Sequence, residues 1–338
     1  MLKNFWYACE FSSAITNTPK RITLLCQNFV LYRNSKGQVI ALDDTCPHRG
    51  ASLSLGRIEG DCIQCPYHGW QFQADGACVE IPANQPDVNI PKAAHVTVYP
   101  IQEKYDFVWI FLGDLPENER PPLPAFSEFE DPTWRVISSE FKWNTHYTRI
   151  VENTIDPAHT PFIHASTFGS GAAKDPKIPK HDVQLSDWGG QIMIMHPKQE
   201  SKSFFWKYMS YAFKDFQGLK TMSGFYMPNI TINYIGDKMI LFSVHLPVDE
   251  TNTLTKRILL RSILPYAWAD SIFNAYSRKI SLEDKPIVES QYPKMSPCTL
   301  TGTIYTPADA LMLAYNKLRH QCLEKGWGIK SHQEDNSK

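Results

Sequence analysis

Cys46-Pro47-His48 is followed, seventeen residues after its histidine, by Cys65-Pro66-Tyr67-His68. The two short segments supply two thiolates and two imidazoles. A [2Fe–2S] centre with two Cys on one iron and two His on the other needs that donor set. Neutral imidazoles in place of two thiolates make the cluster less negative, so it takes up an electron more readily. The chemistry is that of an electron relay. Cys62-Ile63-Gln64-Cys65 also offers a Cys-x2-Cys pair of the kind found in structural zinc sites. Zinc would leave His48 and His68 unexplained, whereas the cluster leaves Cys62 as an ordinary buried thiol.

A second constellation lies at Glu152-Asn-Thr-Ile-Asp156-Pro-Ala-His159-Thr-Pro-Phe-Ile-His164. One helical turn puts Asp156 and His159 on the same face. Pro157 and Pro161 bend the chain and let His164 turn back towards His159. Two imidazoles and a carboxylate on one face of a metal form the triad used by non-haem Fe(II), with positions left open. Taken alone, two such histidines are more often satisfied core residues than metal ligands. Beside an electron relay they supply the acceptor it requires.

The elements that must position these groups follow from pattern. Phe29–Arg33 and Gln38–Leu42 flank a polar turn at Asn34–Gly37, a hairpin signal. Asp75-Gly76 joins Trp70–Gln73 to Ala77–Ile81 as a tight hairpin, and Phe107–Leu112 is a further β-rich run. The metal-ligand loops therefore sit in a small β-domain over residues 1–113. Residues 114–132 carry five prolines among acidic residues, which suits a semi-extended linker. A mixed second domain starts near Trp134. Residues 144–155 read as a helix ended by Pro157. Runs at 191–195, 229–234, 238–244 and 256–260 read as strands, with a Gly236-Asp237 turn. Residues 268–290 read as a helix. Thr306-Pro307-Ala-Asp309 opens another that Gly326 stops. The tail from Lys330 reads as disordered.

Composition excludes several classes. Lys+Arg is 34 against Asp+Glu 35, so no basic field draws in nucleic acid. No run of about eighteen apolar residues suggests a membrane span. The start has no signal-peptide h-region, and the eight Cys in a chain this long do not read as a disulfide framework. A cytoplasmic protein with reduced thiols is expected. Gly169-Ser-Gly171 is only a fragment of a Gly-rich loop, so no nicotinamide or flavin fingerprint is present.

Cys46-Pro-His-Arg-Gly50 and Cys65-Pro-Tyr-His-Gly-Trp70, followed in order by residues 152–164, resemble the catalytic α-subunits of Rieske non-haem iron oxygenases over most of the chain. The subgroup they are most similar to holds vanillate O-demethylase, dicamba monooxygenase and the pheophorbide a oxygenase relatives. The resemblance implies an α+β chain. An N-terminal all-β Rieske [2Fe–2S] domain would span 1–120, with the proline-rich linker from 114. A helix-grip (START/Bet v 1-like) catalytic domain, an antiparallel sheet with flanking helices, would span 121–338.

It implies that Cys46, His48, Cys65 and His68 hold the cluster and that His159 and His164 bind Fe(II). Asp156 takes the bridging carboxylate position, hydrogen-bonded to an iron-ligand His and to the Rieske His68 of a neighbouring subunit. Asn153 falls near the iron. The third ligand is a later carboxylate. Ser281-Leu-Glu-Asp284-Lys-Pro-Ile-Val-Glu289 is similar to the segment bearing it, which selects Asp284, with Glu283 and Asp270 as rivals and a solvated acidic helix face as the alternative.

By the same resemblance the protein uses O2 and electrons from a separate reductase or ferredoxin. A Rieske potential of roughly −150 to +300 mV accepts electrons from a plant-type ferredoxin near about −400 mV. It hydroxylates or oxidatively dealkylates a small organic molecule, with ring dihydroxylation as a variant. In the family a head-to-tail homotrimer brings one subunit's cluster beside its neighbour's iron. Phe204, Phe205, Trp206, Met209, Met222, Phe225, Met227 and Met193 are candidates to line an apolar substrate pocket, though such residues are more often core. The reading from a different class is a Rieske electron carrier with a non-catalytic second domain.

Overall fold

The computed structural model describes residues 1–167, 176–197, 218–299 and 302–329. Two compact units divide the chain: Lys3–Pro121, and Pro122 onward together with Met1–Leu2.

The first unit is all β, built from three small antiparallel sheets. β1 (Phe5–Phe11), β10 (Phe107–Leu112) and β9 (Ile101–Lys104) form one, in that order. β2 (Lys20–Leu24), β3 (Gln27–Arg33) and β4 (Val39–Asp43) form the second. β5 (Arg57–Glu59), β6 (Cys62–Gln64), β7 (Gln71–Phe72) and β8 (Cys78–Glu80) form the third. The Asn34–Gly37 and Asp75-Gly76 turns join β3 to β4 and β7 to β8, as the sequence predicts. Val30, Tyr32, Leu42, Leu53, Ile63 and Phe72 make one core cluster, and Cys46 and Cys65 belong to it. The two cysteine loops thus hang from a packed apolar floor.

The second unit is a seven-stranded antiparallel sheet, ordered β11-β17-β16-β15-β14-β13-β12. Its strands are β11 (Arg135–Trp143), β12 (Gln184–Ser186), β13 (Gly189–Pro197), β14 (Gly218–Tyr226), β15 (Ile230–Ile235), β16 (Met239–Pro247) and β17 (Thr253–Arg261). The described helices are α1 (Tyr147–Ile155), α2 (Thr160–Ile163), α3 (Asp270–Ser290) and α4 (Ala310–Glu324).

Strand register assigns the faces. Ile137, Leu259 and Met239 share one face and pack on Phe273 of α3. Trp143 on that face packs on Ile150 of α1 and Val288 of α3. Phe225, also on that face, meets Tyr315 of α4 edge-on. The three long helices therefore cover one side of the sheet, and Phe126 stacks on Phe242 on the other.

α4 opens and closes as read from sequence. Thr306 and Asp309 form a reciprocal capping box. Gly326, at φ +73°, lets its own N–H and that of Trp327 reach back to the Leu323 and Cys322 carbonyls, a Schellman stop. An N-cap of this kind contributes about 1 kcal/mol. The sheet with flanking helices is the α+β arrangement that the sequence predicts. Gly169–Gly171, Phe204, Phe205, Trp206, Met209 and the tail from Lys330 lie outside the described residues.

Candidate active site

The two cysteine loops repeat one backbone design. In the first, the Cys46 N–H donates to the Ala51 carbonyl at 2.9 Å, and the Gly50 N–H donates to the Cys46 carbonyl at 2.9 Å. In the second, the Cys65 N–H donates to Trp70 at 2.8 Å and the Gly69 N–H to Cys65 at 3.1 Å. Each loop closes on a left-handed glycine, Gly50 at φ +71° and Gly69 at +75°, a conformation that penalises any Cβ. The shared Cys-Pro-x-x-Gly frame buries both thiols, at 2% exposure each. It leaves the histidines at the loop rims, one at the third position and one at the fourth.

The His48 and His68 rings lie 4.5 Å apart, and Trp70 stacks flat on His48 at 4.5 Å and 6°. Asp44 braces the first loop: it accepts from Arg21 Nε at 2.7 Å and from the Ser54 N–H at 2.6 Å. Burial first, and then the adjacent Cys65, push the Cys46 thiol up to about 11. A bound metal reverses that logic by holding the thiolate. Nδ1 of His48 is buried without a hydrogen-bond partner. Two buried reduced thiols and two neighbouring imidazoles, one with an orphaned nitrogen, suit a [2Fe–2S] group. All eight Cys are free thiols, and Cys62 is half-buried on β6.

In the second unit, His159, His164 and Asp284 bring ligand atoms within 4.8 Å of one another. Among the described residues no other group of three or more such side chains does so. A binuclear cluster needs no such convergence, since its two Cys and two His bind different irons. α1 ends at Ile155 ahead of Pro157, and the short α2 spans the turn between the two histidines. Asp156 fixes that turn. Its carboxylate accepts the N–H of Ala158 at 2.7 Å and of His159 at 3.2 Å.

Asp284 arrives from α3. Phe273, Ser277, Ser281, Asp284 and Val288 are the buried residues of that helix, spaced as one helical face. Oδ1 of Asp284 lies 3.2 Å from Nε2 of His164 and 3.7 Å from Nε2 of His159. That oxygen has no hydrogen-bond partner despite its burial. An unpaired buried carboxylate oxygen facing two imidazole nitrogens suits a divalent cation, which would satisfy all three.

The rivals for the carboxylate position do other work. Glu283 accepts from Nδ1 of His164 at 2.9 Å, from Thr167 Oγ1 at 2.9 Å and from Ser166 Oγ at 2.5 Å. It thus orients a triad histidine from behind, as outer-shell carboxylates commonly do. Burial opposes charge on His164, but the adjacent Asp284 and Glu283 outweigh it and hold the ring above its usual value. Asp270 lies fourteen residues from Asp284 on α3, about 21 Å by helical rise. It pairs with Arg135 and Arg261, each at 2.6 Å.

Asp156 Oδ2 is 3.5 Å from Nδ1 of His159, too long for a hydrogen bond. Asn153, half-buried on α1, makes no side-chain hydrogen bond with the described residues. The sequence reading missed Ser166, Thr167 and the bracing role of Glu283. A hydroxyl pair directly after His164 and an acid directly before Asp284 were the available signals.

The apolar candidates divide differently. Met193 and Met222 pair across β13 and β14 on the sheet face away from the helices, and Met193 is exposed. Phe225 and Met227 are core residues.

Residues 5–100 match the Rieske [2Fe-2S] domain family, and residues 143–325 match the vanillate O-demethylase oxygenase C-terminal domain. The chain is 30% identical over 326 residues to methylxanthine N1-demethylase NdmA of Pseudomonas putida, covering 94% of this chain and 88% of that one. The solved structure of NdmA with caffeine superposes with a TM-score of 0.80 at 26% identity, covering 98% and 97% of the two chains. Dicamba monooxygenase bound to 3,6-dichlorosalicylic acid gives 0.81 over 97% and 99%, at 21% identity, a likeness of fold.

The chain belongs to the Rieske non-haem iron oxygenases as a catalytic α-subunit. Its cofactors are a Rieske [2Fe–2S] cluster and a mononuclear iron. It is an oxidoreductase that uses O2 and externally supplied electrons to hydroxylate or oxidatively dealkylate a small organic substrate. An electron carrier with an idle second domain does not fit a C-terminal half of oxygenase type. Among the described residues no helix is long and apolar enough to cross a membrane.

Proposed function

We propose that Cys46, His48, Cys65 and His68 hold the [2Fe–2S] cluster and that His159, His164 and Asp284 hold the mononuclear iron. The observation that carries this reading is the convergence of those three side chains within 4.8 Å, with a buried Asp284 oxygen left unpaired. When bound, the two groups supply one-electron transfer and O2 activation beside the substrate. The chain's own residues do the rest. Glu283 fixes the ring plane of His164, and Asp156 fixes the turn that aims His159.

The reaction is monooxygenation ending in hydroxylation or N- or O-dealkylation. A hydroxyl placed next to nitrogen or oxygen gives a product that expels the alkyl group as an aldehyde. The likeness to two methylxanthine demethylases and to the vanillate O-demethylase C-terminal family supports this over ring dihydroxylation. The protein works in the cytoplasm as a head-to-tail homotrimer, because heterologous contacts close naturally into a ring. Asp156 is the bridging carboxylate. Its side chain is 31% exposed, which leaves part of the carboxylate open to a neighbouring subunit's His68.

Metal analysis tests the ligand set. Wild-type protein is expected to carry three irons and two acid-labile sulfides per chain. His159→Ala is expected to carry two irons, an intact Rieske EPR signal and no O2-dependent product. Retained turnover in that variant overturns the assignment.

A further inference from the structure

Between α3 and strands β11 and β17 lies a cavity of about 300 Å³, walled by Phe141, Thr255, Arg257, Ala275, Ser277 and Ser281 among others. That is the small end of the range for small-molecule sites. Its position is informative. Ser277 and Ser281 share the buried face of α3 with Asp284. By helical rise Ser281 lies about 4.5 Å and Ser277 about 10.5 Å along the axis from Asp284. The Ser281 end of the cavity is therefore the end nearest the triad.

Arg257 makes the chemistry of this wall unusual. Its Nε donates to Ser243 Oγ at 3.0 Å, and its Nη1 donates to Ser277 Oγ at 2.9 Å and Ser281 Oγ at 3.3 Å. All three partners are neutral hydroxyls, and Nη2 makes no hydrogen bond with the described residues. No described carboxylate forms an ion pair with the guanidinium. Asp284 is the acidic group whose charge reaches it, and that carboxylate faces the two triad histidines. The acid at the cavity wall, Glu140, is paired with Lys256. Arg278, exposed at the wall, lies over the Phe141 ring and adds a second cation.

A half-buried guanidinium that is hydrogen-bonded only to neutral hydroxyls, with its one acidic neighbour turned to the histidines, favours an added anion. Its planar fork matches a carboxylate or sulfonate. The same sheet face carries the hydroxyls of Thr231, Ser243 and Thr255 around His245. The cavity wall is polar at Arg257, Thr255, Ser277 and Ser281, and none of the described apolar candidates from sequence lines it.

We propose that Arg257, with Ser277 and Ser281, holds the carboxylate or sulfonate of a small organic anion whose apolar body passes Phe141, which lies between Arg278 and Lys285 of α3, towards Asp284. The inference rests on the oxygenase reading for what happens at the far end of that body.

The test is calorimetric titration of the holoenzyme with benzoate, 4-methoxybenzoate and benzenesulfonate. Each is set against its neutral partner: benzamide, 4-methoxybenzamide and benzenesulfonamide. At least one acid is expected to bind about 10- to 100-fold more tightly than its amide, the range of a charged hydrogen bond. The acid that binds identifies carboxylate or sulfonate as the preferred head. Arg257→Gln is expected to abolish the preference and Arg257→Lys to restore part of it. The wild-type comparison stands even if Arg257→Gln fails to fold. Equal binding of acid and amide, no saturable binding of any acid, or a preference that survives Arg257→Gln overturns the proposal. The two readings fail separately. An acid that binds but gives no oxygenated product with chemical reductant and O2 counts against the oxygenase reading alone. Oxygenation of amides and acids with equal KM counts against the anion site alone.

Discussion

Oε2 of Glu283 lies 2.9 Å from Nδ1 of His164, while Nε2 of the same ring faces Oδ1 of Asp284 at 3.2 Å. Two neighbouring acids on one helix therefore grip one imidazole from opposite sides. Successive helical residues point about 100° apart, so the two carboxylates cannot serve one position. The outer contact makes Nδ1 the donor, so that a bound metal would find Nε2 free to coordinate it, the tautomer a metal ligand needs.

Glu283→Gln is expected to lower Fe(II) affinity about tenfold, and Glu283→Ala towards about 100-fold, the range for losing an outer-shell partner of a ligating histidine. Ser166 and Thr167 lose their acceptor in the alanine variant as well. Iron titration of metal-stripped protein measures this, and the labile sulfide content should not change. Unaltered iron affinity in both variants would show that Glu283 is a bystander.

Asp156→Asn separates positioning from bridging. An amide oxygen still accepts the Ala158 N–H, so the α2 turn survives and both metals should be retained. The charge facing Nδ1 of His159 is lost. Multiple turnover with a reductase is expected to collapse while the Rieske EPR signal and iron content stay normal. Wild-type single-turnover rates in Asp156→Asn would remove Asp156 from any electron path.

The parts of the site that sequence made legible are local. Cys46–Gly50, Cys65–Gly69 and Asp156–His164 each complete their geometry within a few residues, so type and spacing carry the chemistry. Asp284 is 120 residues from His164. Its register on α3 is set by the apolar and hydroxyl face it shares with Phe273, Ser277 and Val288, and family resemblance was needed to choose it. Arg257 was illegible because Lys256 and Arg257 are adjacent charges in a strand. Alternation sends one towards Glu140 and the other into the cavity. β11 was missed as well: Arg135-Val-Ile-Ser-Ser-Glu-Phe-Lys-Trp143 shows its helix-facing residues only once Ser139 is registered against Arg257.

Asp270 offers a control for the choice of Asp284. It neutralises Arg261, which is fully buried and stacks on Phe273 at 4.4 Å. Hydrogen bonding to Arg135 comes first among the influences that hold its carboxyl below the usual range. Asp270→Asn leaves Arg261 short of a counter-charge and is expected to cost about 2–3 kcal/mol, reduced from a fully buried pair by the partial exposure of Asp270. Thermal melting should fall by about 5–10 °C, with iron content unchanged. Loss of iron in a folded Asp270→Asn protein would reopen the ligand assignment.

His146 and His245 give the second unit an acid limit of its own. Burial, then the charges of the chain N-terminus, Arg319 and Arg149, push His146 down to about 3. Burial, then Arg257, does the same to His245, also to about 3. Thr231 and Thr255 hydroxyls hold the neutral His245 ring at 2.9 Å on both nitrogens. An unfolded histidine titrates near about 6.5, so below that pH the unfolded state gains protons that the folded state refuses. The contribution is intact above about 6.5, drains away as pH falls, and is exhausted near the folded value of about 3. Between pH 7 and 5 each histidine is expected to remove about 2 kcal/mol of stability. Urea unfolding at the two pH values measures the sum. His245→Gln lowers stability at both, but its loss between them should be about half the wild-type loss. An undiminished loss in His245→Gln would mean that His245 titrates normally inside the fold, against its complete burial between two hydroxyls.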